Sequence, residues 1–123
     1  MSATADAANP AARYLVLEDE PLIAMDLAMA FEDAGHEAQT ASSCAEAMAI
    51  IEEGGLSGAV LDVNLGFGET CQHAAEELAR RSIPFVLHTG DLNRVGETLR
   101  KFDVRIIAKP VPAEDVVEVV LAL

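Results

Sequence analysis

Leu15-Val16-Leu17-Glu18-Asp19-Glu20-Pro21 runs from a compact apolar stretch through three carboxylates to a proline. Three other stretches share its form: Ala59-Val60-Leu61-Asp62, Phe85-Val86-Leu87-His88-Thr89 and Ile106-Ile107-Ala108-Lys109. A short run that is apolar at every residue fits a strand buried on both faces, as in parallel sheets. Pro21 fits the first turn of a helix, where its missing N–H costs nothing.

Helical patterns separate these runs. Ile23, Leu27, Ala30, Phe31 and Ala34 repeat at helical spacing before Gly35. Glu37–Thr40 reads as a short, weak strand. Ser43-Cys44-Ala45-Glu46 has the form of a capping box. The helix that it opens would bury Ala47, Ile50 and Ile51 and stop at Gly54-Gly55. Gly58–Leu61 reads as a strand, Asn64–Glu69 as a loop with two glycines, and 70–81 as a helix. A strand over Ile83–His88 follows. A weaker helix over Asp91–Lys101 is interrupted by Gly96, and a fifth strand covers Val104–Ala108. Pro112 opens a last helix carrying Val116, Val117, Val119, Val120 and Leu123.

Alternation of this kind predicts an α/β fold: a doubly wound, five-stranded parallel sheet in a three-layer α/β/α sandwich. In such sheets ligands sit outside the carboxyl ends of the strands. That rule gathers Glu18, Asp19, Asp62, Thr89 and Lys109 at one edge.

The 123 residues fit one domain, and the 51% hydrophobic content suffices for a core built of aliphatic residues and Ala. The expected division is a flexible tail over 1–12 and a domain over 13–123. A net charge of −13 argues against a nucleic-acid surface. The apolar runs are too short to span a bilayer. Cys44 and Cys71 form no CxxC, and no apolar leader opens the chain, which points to reduced thiols in the cytoplasm.

Three carboxylates brought together repel unless a cation neutralises them or one is protonated. Hard oxygen ligands suit Mg²⁺, with Mn²⁺ as a substitute, and a backbone carbonyl from the loop after Asp62, best that of Asn64, could complete the set. A carboxylate is also a nucleophile towards phosphorus. Asp62, alone on a central strand, is the candidate acceptor. Lys109 would supply a second positive charge, and the Thr89 hydroxyl a hydrogen bond to a phosphoryl oxygen. Each residue type has a plainer use: Thr in turns, Lys before Pro as solvated surface, Asp as a helix cap. His88 neighbours the cluster with a packing or solvated role. His36 and His73 have no evident partner. Gly66 and Gly68 form no phosphate-binding loop and suit unusual backbone angles after Asp62.

Leu15–Pro21, Val60-Leu61-Asp62-Val63-Asn64-Leu65, Thr89-Gly90 and Lys109-Pro110 together resemble the receiver domain of two-component response regulators. The resemblance covers about residues 13 to 123. It implies the flavodoxin-like strand order 2-1-3-4-5, Mg²⁺ on Glu18 and Asp19, phosphorylation of Asp62, a switch role for Thr89 and phosphate binding by Lys109. It also implies a phosphohistidine donor on a sensor histidine kinase or a phosphotransfer protein. Since no output domain is expected, the reading is a single-domain regulator that works through another protein or as a phosphoryl relay or sink. It would be no enzyme beyond catalysing its own phosphorylation and dephosphorylation.

Three departures stand out. Glu18 takes the place of a frequent Asp. Leu65-Gly66-Phe67-Gly68-Glu69 replaces the usual Leu/Met-Pro-x-x-Asp/Ser-Gly. Ile106 stands where an aromatic switch residue is normal. Pro84–Gly90 and the missing aromatic resemble a subgroup marked by Phe-Ala-Thr-Gly-(Gly/Tyr), from which Leu87, His88 and Asp91 depart. Competing readings are a metal-dependent phosphohydrolase with an aspartyl phosphate and a degenerate receiver that only binds. Asp62-Val63-Asn64 lacks the second Asp that such hydrolases carry, and theirs lies on the first strand. The sequence does not set the oligomeric state.

Overall fold

The computed structural model describes residues 12–123. Five strands, β1 (Arg13–Leu17), β2 (Glu37–Ala41), β3 (Leu56–Asp62), β4 (Phe85–Thr89) and β5 (Ile106–Ala108), form one sheet in the order β2-β1-β3-β4-β5. All pairs are parallel. The helices are α1 (Pro21–Asp33), α2 (Cys44–Glu53), α3 (Gln72–Arg80), α4 (Glu97–Arg100) and α5 (Ala113–Leu121). This is the predicted flavodoxin-like sandwich. Ala12, assigned to the tail, is bonded in place: its carbonyl accepts from Glu37 N–H at 2.9 Å. Residues 1–11 of that expected tail lie outside the described residues.

Alternation along each strand divides the side chains between two layers. Leu15, Leu17, Ala59, Leu61, Phe85 and Leu87 face α2 and α3, meeting Ala47, Ile51, Ala74 and Leu78. Tyr14, Val16, Val60, Val86 and Ile107 face α1 and α5, meeting Leu27, Phe31, Val116 and Val120. Two covered faces explain why the strands read as unbroken apolar runs. At Gly58 an added Cβ would lie 3.1 Å from the Tyr14 ring and 3.3 Å from the Pro84 carbonyl oxygen. Its lack of a side chain lets Tyr14 stack on Phe31, with ring centroids 4.7 Å apart.

Several boundaries differ from the sequence reading. β4 starts at Phe85, not Ile83: Pro84 has no N–H for the ladder, and its carbonyl accepts from Ala59 N–H. β5 starts at Ile106, two residues later than expected. The weak helix over Asp91–Lys101 divides into a 3₁₀ turn at Leu92–Arg94 and the short α4, which begins after Gly96. In α1 the buried positions are Ala24, Leu27 and Phe31, while Ala34 is exposed beyond the helix end. Leu123 is also exposed. The capping box is half as expected. Ser43 Oγ accepts from Glu46 N–H, but Glu46 Oε1 reaches Ser42 N–H and Oγ instead of the cap residue.

Candidate functional site

The carboxyl ends of β1, β3, β4 and β5 present Glu18-Asp19, Asp62, Thr89 and Lys109. Glu18 is 2% exposed and Asp62 5%. Each of Glu18, Asp19 and Asp62 offers an oxygen within 4.8 Å of the others. Lys109 Nζ donates to Glu18 Oε1 at 2.9 Å and lies 3.4 Å from Asp62 Oδ1. Glu18 Oε2 accepts from Glu20 N–H at 3.1 Å, so both oxygens of this buried carboxylate are engaged.

One ammonium cannot balance three crowded carboxylates. Burial, and then the charge of Glu18, push the Asp62 carboxyl up to about 8. Lys109 loses solvation by its partial burial, yet its pKa is raised by Glu18 and Asp62. This donor set, all hard oxygen with surplus negative charge, fits a small divalent cation. Asn64 lies two residues beyond Asp62 and faces Thr70 in an antiparallel bridge.

Thr89 is fully buried at the same edge, but its hydroxyl is committed elsewhere. Oγ1 donates to the Asp91 carbonyl and accepts from Asp91 N–H, both at 3.1 Å. The structure therefore clusters Glu18, Asp19, Asp62 and Lys109, and folds the Thr89 hydroxyl into the turn that follows it.

Two neighbours of the site that the sequence reading named without a role in it stand closer than that reading gave them. His88 is 4% exposed, with neither ring nitrogen hydrogen-bonded among the described residues. With Lys109, it lines a small cavity whose other walls include Ile23 and Leu27 of α1. Its burial selects the packing role over the solvated one; burial, then the Lys109 charge, also lower its pKa to about 4. The alternation of β4 carried the signal, because His88 shares a face with buried Val86. The second neighbour is the 64–70 loop. A Cβ on Gly66 would lie 3.5 Å from Asp19 Oδ2, so this loop passes directly beside the acidic cluster. His36 accepts from Ala12 N–H, and His73 pairs with Glu76; neither is near the cluster in sequence or contact.

Cys44 and Cys71 are buried and free. Burial, above all, raises both thiols, Cys71 to about 12, so they act as small apolar residues. No helix among the described residues is long and apolar enough to cross a membrane.

No family profile matches the chain. It is 35% identical over 107 residues to the phyllosphere-induced regulator PhyR of Methylorubrum extorquens, covering 85% of this chain and 40% of PhyR. The chain thus spans less than half the length of that curated relative. SdrG from Sphingomonas melonis Fr1 is 40% identical, with a TM-score of 0.76 over 91% of this chain and 94% of SdrG. A CheY-like response regulator receiver domain from Methylobacillus flagellatus shares the fold at 21% identity, with a TM-score of 0.74 over 91% of this chain and 97% of its own.

Proposed function

We propose that this chain, which belongs to the receiver-domain family of response regulators, accepts a phosphoryl group on Asp62 from a protein phosphohistidine. The observation that carries this reading is the placement of Asp62. Its carboxylate lies at the mouth of the sheet edge, beside two further carboxylates and 3.4 Å from the Lys109 ammonium.

In the transfer, an Asp62 oxygen attacks phosphorus as the P–N bond to the donor imidazole breaks and its electron pair returns to that nitrogen. Lys109 stands ready to neutralise the transferred oxygens, giving up part of its contact with Glu18. Glu20 N–H holds Glu18 in place throughout. A divalent cation held by Glu18, Asp19, Asp62 and the carbonyl of Asn64 would supply further charge neutralisation; Mg²⁺ fits this role and Mn²⁺ could replace it. Once Asp62 carries the phosphoryl group, Thr89 exchanges its hydrogen bond to the Asp91 carbonyl for one to a phosphoryl oxygen. That exchange frees the turn after β4 and biases the β4–α4–β5 face between two arrangements. The output is a change in binding to another protein, or passage of the phosphoryl group onward. The buried free thiols favour work in the cytoplasm.

The test is intact-mass measurement after incubation with acetyl phosphate and Mg²⁺. The expected result is an adduct of one phosphoryl group that is stable in acid, labile in base, absent in Asp62→Ala and absent with EDTA. Failure of both acetyl phosphate and autophosphorylated sensor kinases to label the wild type would refute it. Sustained turnover of phosphate monoesters would favour a hydrolase instead.

A further inference from the structure

We infer that Phe67 is a docking anchor that selects the phosphodonor protein at Asp62; this rests on the acceptor reading above. Phe67 is fully exposed, at 110% of its reference area, and sits at φ +52° between Gly66 at +84° and Gly68 at +78°. Ser82 and Asp103 are the other described non-glycine residues with positive φ, and both are small and polar. A bulky aromatic in that region is uncommon and carries steric cost. An apolar ring held there in water gains nothing from the fold of this chain.

The loop that carries it is braced. Leu65 N–H donates to the Glu69 carbonyl and Glu69 N–H to the Gly66 carbonyl, both at 2.9 Å. Asn64 and Thr70 pair across its base. Glu69 Oε1 accepts from Cys44 N–H at 3.1 Å, which fastens the loop to the start of α2. Leu65 is buried beneath it, at 6% exposure. The ring is therefore presented on a pre-organised pedestal, and such a group loses little freedom on binding.

Position identifies what it meets. Gly66, the residue before the ring, lies beside Asp19 Oδ2. A protein that brings a phosphoryl group within bonding distance of Asp62 must close against this loop. More exposed apolar surface stands beside the acidic pair: Met25, at 50%, lines a depression with Glu18 and Asp19. The net charge of −13 and the carboxylates beside the loop favour a partner with a basic face. The partner is thus a phosphohistidine protein with a basic rim and an apolar recess next to its histidine. Aromatic anchors in such recesses commonly dominate binding energy.

The test compares two donors on the same variants. One is the fastest donor found among the source organism's autophosphorylated sensor kinases and histidine phosphotransfer domains. The other is phosphoramidate, a small P–N donor that needs no docking surface. Phe67→Asn keeps a residue that tolerates positive φ and removes the ring. It should lower kcat/KM for the protein donor by about tenfold or more, while phosphoramidate labelling stays within about twofold. Phe67→Trp and Phe67→Leu should retain most of the protein-donor rate. Equal loss with both donors, or loss with neither, would overturn the inference. So would a wild type that phosphoramidate labels and no protein donor does. A wild type labelled by neither donor would overturn the acceptor reading itself and this inference with it.

Discussion

At the β1–β3 end of the sheet edge, Glu18 accepts at both oxygens and Lys109 spans Glu18 and Asp62. At the β4–β5 end, Thr89 spends its hydroxyl on the turn that follows it. The surroundings differ as well. The first region rests on α1, of 13 residues, and on the buried centre of the sheet. The second rests on β5, of three residues, and α4, of four, with Phe102, Val104 and Ile106 only partly buried. Segments with few buried contacts open at low free-energy cost. The contrast teaches that the charged centre is already bonded together, whereas the neighbouring segment holds the hydrogen bond that the proposed switch would exchange. Ile106 is half-buried where a receiver usually carries an aromatic, so under the proposed switch role Thr89 and its turn would connect the two.

The contrast breaks most sharply at Lys109. Lys109→Ala should reduce phosphoryl incorporation by about 10²-fold, because the one ammonium that reaches these carboxylates among the described residues is lost. Initial-rate labelling with acetyl phosphate measures it. A rate near that of the wild type would show that the charged centre does not depend on this contact.

Next in size is the strain of the metal-free acidic centre. Folded Asp62 holds its proton up to about 8, against an ordinary 3.8. The folded state therefore binds more protons between those values, and metal-free stability should fall as pH rises from about 4 to 8. Asp62→Asn should remove that slope and gain ~2 kcal/mol at the upper end. Chemical denaturation in EDTA across this range reads it, and Mg²⁺ should narrow the difference by binding only the folded wild type.

A smaller effect of opposite sign belongs to His88. Its folded pKa of about 4 lies below the ordinary 6.5, so its contribution is complete above 6.5 and is lost as pH falls towards 4. The loss should amount to ~1 kcal/mol, best seen in the Asp62→Asn background, where the opposing slope is gone. His88→Leu should flatten that arm. If it does not, the buried imidazole is not what titrates.

Much of this was legible in the sequence because burial on both faces forces apolar runs, and a polar residue after such a run marks the strand end. Leu15–Asp19, Val60–Asp62 and Ile106–Lys109 all follow that logic, and sheet topology then brings their ends together. What the sequence hid depends on individual hydrogen bonds and on which way a loop residue faces. Nothing in Thr89-Gly90-Asp91 says that the hydroxyl closes on Asp91 rather than facing Asp62. Gly66 and Gly68 signalled unusual backbone angles, but not that Phe67 between them would share the conformation and stand clear of the core. The starts of β4 and β5 were misplaced because Ile83 and Val104 are apolar and bury against the core edge without joining the ladder.

The most direct measurement is backbone-amide NMR of the wild type and Asp62→Ala during titration with Mg²⁺ and beryllofluoride, a mimic of the phosphoryl group. The account predicts large shifts from Thr89 through Ala108, with Thr89 and Asp91 among the largest. It predicts little change in β2 and α2, and no shifts of this kind in Asp62→Ala. Silence between Thr89 and Ala108, or equal shifts in the Asp62→Ala protein, would contradict it.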